Sequence, residues 1–186
     1  MNFLQISNDI FLIEDFWTKT KCEDFITKSE AVGYEVATIE TEKGPKLIET
    51  IRNNNRLIYT DINLANEIWK DLKAYAPTKI GNSNATGLNE LFRFYRYMPG
   101  QKFAKHSDQS YIRNEVEASY YTLMIYLNDD CKGGETSFGN IIIKPKQGRA
   151  LIFLHTLPHE GCEVTEGTKY VLRSDIMYKI SDDLPG

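Results

Sequence analysis

The hydrophobic period of this chain changes once, near residue 90, and that change limits the folds open to it. Before it, two stretches repeat at helical steps. Phe16 to about Ala31 carries Phe16, Trp17, Phe25 and Ile26 on one face, with Gly33 as a stop signal. Asp61 to Pro77 carries Ile62, Leu64, Ala65, Ile68, Trp69, Leu72 and Tyr75, with Asp61 placed to cap it. From Leu91 the period is two. In Leu91–Tyr97 one side holds Arg93, Tyr95 and Tyr97, and the other holds Phe92 and Phe94. Ser119–Leu127 and Arg149–His155 are β-rich runs between Gly, Pro, Asn and Asp clusters. Thr136–Phe138 and Ile141–Ile143 flank Gly139-Asn140 as a hairpin. Lys169–Tyr178 sets Tyr170, Leu172, Ile176 and Tyr178 against Lys169, Arg173 and Asp175. Helices first and short strands afterwards predict an α+β chain with a barrel or jelly-roll core, its N-terminal helices packed on one face.

A chain of 186 residues can bury enough apolar surface to form one domain without metal or disulfides. The reading is therefore a single domain over 1–186, with 1–88 as helical and strand support and 89–180 as the core. Asn82–Gly87 reads as a surface loop, and Ser110–Glu117 as a mobile rim or lid loop. A net charge of −4 disfavours nucleic acid as a partner, because phosphate binding rests on clustered Lys and Arg. Three Cys without a CxxC pair point to a reducing interior rather than a disulfide framework. Apolar runs are too short to span a membrane, and Met1–Asp9 does not read as a signal peptide, so the expected location is cytoplasmic.

The chain has three His: His106, His155 and His159. His106 and Asp108 are two apart, so on an extended segment both project to one side and can grip one ion. His159, 53 residues after His106, is the third candidate ligand. Two imidazoles and a carboxylate on one face leave metal positions free, the arrangement of non-haem Fe(II) oxygenases. His155 and His159 have the i,i+4 spacing of a helical zinc pair, but Pro158 between them argues against a helix, so His155 reads as structural.

Four segments in order carry a resemblance: FYRYMPGQKFAKHSD (Phe94–Asp108), LMIYLNDDCKGGETSF (Leu123–Phe138), KPKQGRALIFLHTLPHEG (Lys144–Gly161) and GTKYVLRSD (Gly167–Asp175). Together they resemble the catalytic domain of Fe(II)- and 2-oxoglutarate-dependent dioxygenases, in the prolyl 4-hydroxylase-like branch. The resemblance implies a double-stranded β-helix, with Fe(II) held by His106, Asp108 and His159. It also implies 2-oxoglutarate as co-substrate, O2, and ascorbate as an accessory reductant. Lys169 matches the family's cation for the 5-carboxylate, a group that needs a partner once buried. Arg173, on the same strand face, is the second candidate for that task, with substrate or Asp175 as its alternative partners. Tyr97 and Tyr126 match positions lining the co-substrate pocket, and Thr122 and Met124 share the face of Tyr126.

The polar run RNNNR (Arg52–Arg56) reads either as a substrate-facing rim, with Arg52 and Arg56 as contacts, or as a solvated turn. The function implied is hydroxylation of an unactivated C–H bond in a peptidyl (prolyl) or amino-acid-like substrate, with release of succinate and CO2. The alternative is a non-catalytic metal-binding jelly-roll sensor or binding module. Tyr170 stands where some relatives carry Trp, which bears on the prolyl assignment and not on the chemistry.

Overall fold

In the computed structural model, which describes residues 1–39 and 44–181, two helices cover one face of a large antiparallel sheet, and a small sheet lies across from its other face. The chain opens with β1 (Asn2–Ser7) and β2 (Ile10–Glu14), then α1 (Lys19–Val32), β3 (Glu35–Val36), β4 (Asn55–Thr60) and α2 (Ile62–Leu72). There follow β5 (Lys79–Ile80), β6 (Ser83–Leu88), β7 (Leu91–Tyr97), β8 (Phe103–His106), β9 (Ile112–Asn114) and β10 (Glu117–Tyr126). The last third holds β11 (Lys132–Gly133), β12 (Thr136–Phe138), β13 (Ile141–Ile143), β14 (Ala150–Leu154), β15 (His159–Gly161), β16 (Val164–Glu166) and β17 (Lys169–Ile180). The large sheet runs β1-β2-β14-β10-β17-β7-β4-β3, with β6 also on β17 and β9 on β10; the small sheet runs β13-β12-β15-β8. This is the double-stranded β-helix, with few helices around it.

The large sheet is covered on both sides, which explains the unbroken apolar run ALIFL in β14. Ala150 and Ile152 face the helices with Phe92, Phe94, Leu172 and Ile176, where α2 contributes Leu64, Ala65, Ile68 and Leu72, and α1 contributes Cys22. Leu151 and Phe153 face inward with Tyr95, Tyr97, Tyr126 and Val171, against Ile143 and Val164. The two sides of β7 anticipated from its period are thus the two cores: Phe92 and Phe94 pack under helices, Tyr95 and Tyr97 line the interior.

Several expectations need correction. The first helix starts at Lys19, because the Thr18 hydroxyl accepts from the Lys21 N–H at 3.2 Å; Phe16 and Trp17 enter the core from the preceding turn. The second is capped by Asp61 as expected, accepting from the Leu64 N–H at 2.9 Å, but it ends at Leu72, five residues before Pro77. The residue before a proline is driven away from helical angles, and Lys73–Ala76 form the exit turn. Asn82–Gly87 is not a loop. Ser83–Leu88 is strand β6, paired with β17 from Ser83↔Ile180 to Leu88↔Ile176. Its alternating exposure shows why it looked like a loop: the backbone makes the ladder while Asn84 points to solvent. Within Ser110–Glu117, Ile112–Asn114 form the short strand β9 against β10, turned by Asn114 Oδ1 accepting from the Val116 N–H at 3.0 Å. The β1–β2 hairpin was not anticipated; β2 lies against β14 with Ile13 opposite Ala150, so strands from both sides of residue 88 share one sheet. Among the described residues no helix is long and apolar enough to cross a membrane.

Candidate metal centre and its cleft

β8 and β15 are antiparallel neighbours with His106 opposite His159, which brings two imidazoles 53 residues apart in sequence to a centroid distance of 4.3 Å. Asp108 lies just past the end of β8, and its backbone N–H donates to the His155 carbonyl at 2.9 Å. The ligand atoms of His106, Asp108 and His159 all lie within 4.8 Å of one another. His106 Nε2 is 3.7 Å from Asp108 Oδ1, and His159 Nε2 is 3.8 Å from Asp108 Oδ2. These separations are too long for hydrogen bonds and suit donors gathered around an ion.

The protonation states fit the same task. His106 Nδ1 lies 2.8 Å from the Ala104 carbonyl and His159 Nδ1 lies 2.9 Å from the Leu157 carbonyl. A carbonyl only accepts, so each Nδ1 carries the proton and each Nε2 keeps a lone pair facing Asp108. Burial, with His159 adding to it, pushes His106 down to about 4, and burial also lowers His159. Burial alone would raise Asp108, but Arg173 and His159 outweigh it and hold the carboxyl at about 2. Two neutral imidazoles and one carboxylate are the donor set that non-haem Fe(II) accepts, with coordination positions to spare.

Behind Asp108 runs an ordered chain of hydrogen bonds. The Tyr111 N–H donates to Ser119 Oγ at 2.8 Å, and Ser119 Oγ and His155 Nε2 are 2.9 Å apart. His155 Nδ1 is 2.9 Å from Thr122 Oγ1, which lies 2.6 Å from Asp108 Oδ2. Asp108 can only accept, so the Thr122 hydroxyl donates to it; His155 Nδ1–H then donates to Thr122, and Ser119 donates to His155. The structural reading of His155 is correct, and the structure adds its purpose: it orients the carboxylate through Thr122.

Arg173 is largely buried and paired with two carboxylates. Its Nη2 lies 3.2 Å from Asp108 Oδ1 and 3.1 Å from Asp175 Oδ1, and its Nη1 lies 3.4 Å from the Tyr95 hydroxyl. Lys169 is the opposite case. It is 1% exposed, its Nζ donates to the Gly134 carbonyl at 2.5 Å, and it lies over the rings of Tyr97 (5.0 Å) and Tyr126 (5.6 Å). No carboxylate pairs with it among the described residues, and burial pulls its amine down to about 8. Gly134, at φ +70°, lets it in: a Cβ there would come within 2.9 Å of Lys169 Cδ. The Tyr126 hydroxyl is 2.7 Å from Thr136 Oγ1.

A narrow cavity of about 30 Å³ beside the triad is lined by Tyr97, Met124, Thr136 and Gly161 with the ligand residues and Arg173. It opens beside His106 and Asp108 to a cleft of about 380 Å³ that Arg52, Arg56, Arg93, Tyr95 and Phe103 share. Of the RNNNR run, Arg52 and Arg56 line this cleft. Tyr95 lines this cleft too; burial would raise its phenol, but Arg173, Arg52 and Arg93 bring it down to about 8. Its place on the Arg93 and Tyr97 side of β7 was the available signal. Phe103, stacked on His106 at 3.5 Å, had no such signal.

Two outcomes follow from this geometry. Thr122→Val or His155→Phe should weaken Mn(II) binding, followed by electron paramagnetic resonance, by about 10- to 100-fold; unchanged affinity would contradict the relay. The unfolded chain takes up histidine protons near 6.5, whereas folded His106 and His155 do so only near 4. The folded state thus binds fewer protons across that window, and its stability falls as the pH drops. The urea midpoint of chelator-treated protein should hold above pH 7 and fall from about 6.5 to 4; a flat midpoint would contradict the neutral, buried imidazoles.

Residues 92–174 match the family model described as the 2OG-Fe(II) oxygenase superfamily. Prolyl 4-hydroxylase 2 of Arabidopsis thaliana is 24% identical over 197 residues, covering 86% of this chain and 64% of that protein. Prolyl 4-hydroxylase 1 of the same plant is 25% identical, covering 87% and 66%; the chain thus spans about two thirds of the length of these curated relatives. A viral collagen prolyl hydroxylase from Paramecium bursaria Chlorella virus-1, solved with 2OG, superposes with a TM-score of 0.65 at 20% identity, over 94% of this chain and 98% of that one. A Trichoplax adhaerens prolyl hydroxylase, solved with a hypoxia-inducible factor peptide, gives 0.71 at 18% identity, over 91% and 84%. Fold, donor set and sequence motifs agree: over residues 92–174 the chain is similar to the 2OG-Fe(II) oxygenase superfamily, and as a whole it is prolyl 4-hydroxylase-like.

Proposed function

We propose that this chain is an Fe(II)- and 2-oxoglutarate-dependent dioxygenase that hydroxylates an unactivated C–H bond in a peptidyl, in particular prolyl, or amino-acid-like substrate. Residues 1–88 are the support for a catalytic core over 89–180. The observation that carries the reading is a pair of features in the interior of the barrel. Three donors converge on one point, and Lys169 is buried behind Tyr97 and Tyr126 with no carboxylate of its own among the described residues. A buried ammonium without a counter-ion is costly unless a ligand supplies one.

His106, Asp108 and His159 hold the iron through Nε2, a carboxylate oxygen and Nε2. When bound, iron and 2-oxoglutarate supply the oxidising chemistry, in which O2 is split between the substrate hydroxyl and the succinate formed with CO2. The protein's part is placement. Lys169 meets the 5-carboxylate of the co-substrate, and the flanking Tyr97 and Tyr126 keep that end dry. Arg173, already paired with Asp108 and Asp175, holds the ligand carboxylate ionised and in place. Thr122 orients the same carboxylate from the other oxygen. Peptide substrates are supported by the Trichoplax relative, which was solved with a peptide bound.

The test is anaerobic addition of Fe(II) and 2-oxoglutarate, followed by the visible charge-transfer band of the chelate. The wild type should show the band and, on admission of air, form succinate. Asp108→Ala and His159→Ala should lose both while staying folded, and Lys169→Met should raise the 2-oxoglutarate concentration for half-saturation by more than about tenfold. A wild type loaded with iron yet showing no band would overturn the assignment.

A further inference from the structure

The wide part of the cleft holds more positive charge than its acids neutralise. Of the four arginines that line it, Arg93 pairs with Asp175 at 3.2 Å and Arg173 with Asp108 and Asp175. Arg52 and Arg56 have no ion pair among the described residues. Arg52 is 5% exposed, and its guanidinium lies between the rings of Tyr95 (4.7 Å) and Phe103 (4.3 Å). Its Nε donates to Asn54 Oδ1 at 2.8 Å, which fixes the plane, while its Nη2 is buried and meets no acceptor among the described residues. Arg56 has only the Thr38 hydroxyl, at 3.4 Å, and its burial together with the nearby Arg52 charge disfavours its protonated form.

This arrangement is unfavourable for the protein alone. A buried donor left unpaired costs free energy, and two neighbouring cations repel. A rigid guanidinium stacked between aromatic rings is also the group best matched to a planar anion, because it needs no further ordering to bind one. The cleft holding these arginines is the one that exposes His106 and Asp108, and neither arginine lines the narrow cavity beside the triad.

We infer that the primary substrate carries a carboxylate, held by Arg52 and Arg56 on the wall of the cleft while its reacting carbon faces the triad. The inference rests on the oxygenase reading and narrows it to acids: a free amino acid, or a peptide with an acidic side chain beside the reacting residue. Asn54 is then a positioning residue acting through Arg52.

The test uses protein loaded anaerobically with Fe(II) and 2-oxoglutarate, which cannot turn over, and measures binding of two probe pairs by calorimetry. One pair is L-proline and L-prolinamide; the other is acetyl-Ala-Pro-Glu-amide and acetyl-Ala-Pro-Gln-amide. The carboxylate member of at least one pair should bind about tenfold or more tightly than its neutral partner. The first pair showing this identifies a free acid, and the second an acidic peptide. Arg52→Gln and Arg56→Gln should each erase the preference and leave the half-saturation of the 2-oxoglutarate band unchanged. Two variants are used so that a folding failure in the buried Arg52 does not decide the outcome. Equal affinities within both pairs, no saturable binding by either carboxylate probe, or a preference that survives both substitutions would overturn the inference. Loss of the 2-oxoglutarate band in the variants would also overturn it, by assigning the arginines to the co-substrate. Loss of the band in the wild type would instead remove the oxygenase reading itself.

Discussion

His159 lies opposite His106 in the antiparallel ladder of β15 and β8, and the rest of the site is arranged around that pairing. A slip of one residue would turn one imidazole to the other side of the small sheet and dissolve the cluster. The register is held from two directions. On one side, the Asp108 N–H ties the end of β8 to the His155 carbonyl. On the other, the carbonyls of Ala104 and Leu157 fix each imidazole through Nδ1, so the same backbone that sets the strands also sets the tautomers.

Around this point the interior treats its two large cations differently. Arg173 enters from β17 and is neutralised twice, by Asp108 and Asp175, so it serves the ligand carboxylate and keeps it ionised despite burial. Lys169 enters from the same strand face four residues earlier and is left with a carbonyl and two aromatic rings. The difference in partners separates a charge neutralised by carboxylates from one that has none among the described residues. The arginines of the outer cleft repeat the contrast, with Arg93 paired and Arg52 held between two rings without an ion pair among the described residues. Among the described residues the fold thus leaves Lys169 in the interior and Arg52 in the cleft without a carboxylate partner.

Much of this was legible in the chain. The period-two run of β7 separated the helix-facing Phe92 and Phe94 from the interior Tyr95 and Tyr97, because burial on both faces still leaves two distinct environments. The triad was legible because His106-x-Asp108 is local and only two other histidines exist to complete it. What escaped depends on pairing that a linear pattern does not encode. β6 is polar and looked like a loop, since backbone hydrogen bonds to β17 carry it rather than side chains. β2 belongs to the large sheet through a neighbour, β14, more than a hundred residues away. Tyr95 and Phe103 gained a role in the cleft only by enclosing Arg52 from two different strands.

The central claim is that one ion and one short diacid occupy the space between the triad and Lys169. Anomalous diffraction at the iron edge, from crystals grown anaerobically with Fe(II) and 2-oxoglutarate, addresses it most directly. The account predicts a single strong peak bounded by Nε2 of His106, Nε2 of His159 and the Asp108 carboxylate, with the far carboxylate of the diacid on Lys169 Nζ. Iron bound elsewhere, or a diacid seated on Arg173 with Lys169 still bonded to Gly134 alone, would contradict it.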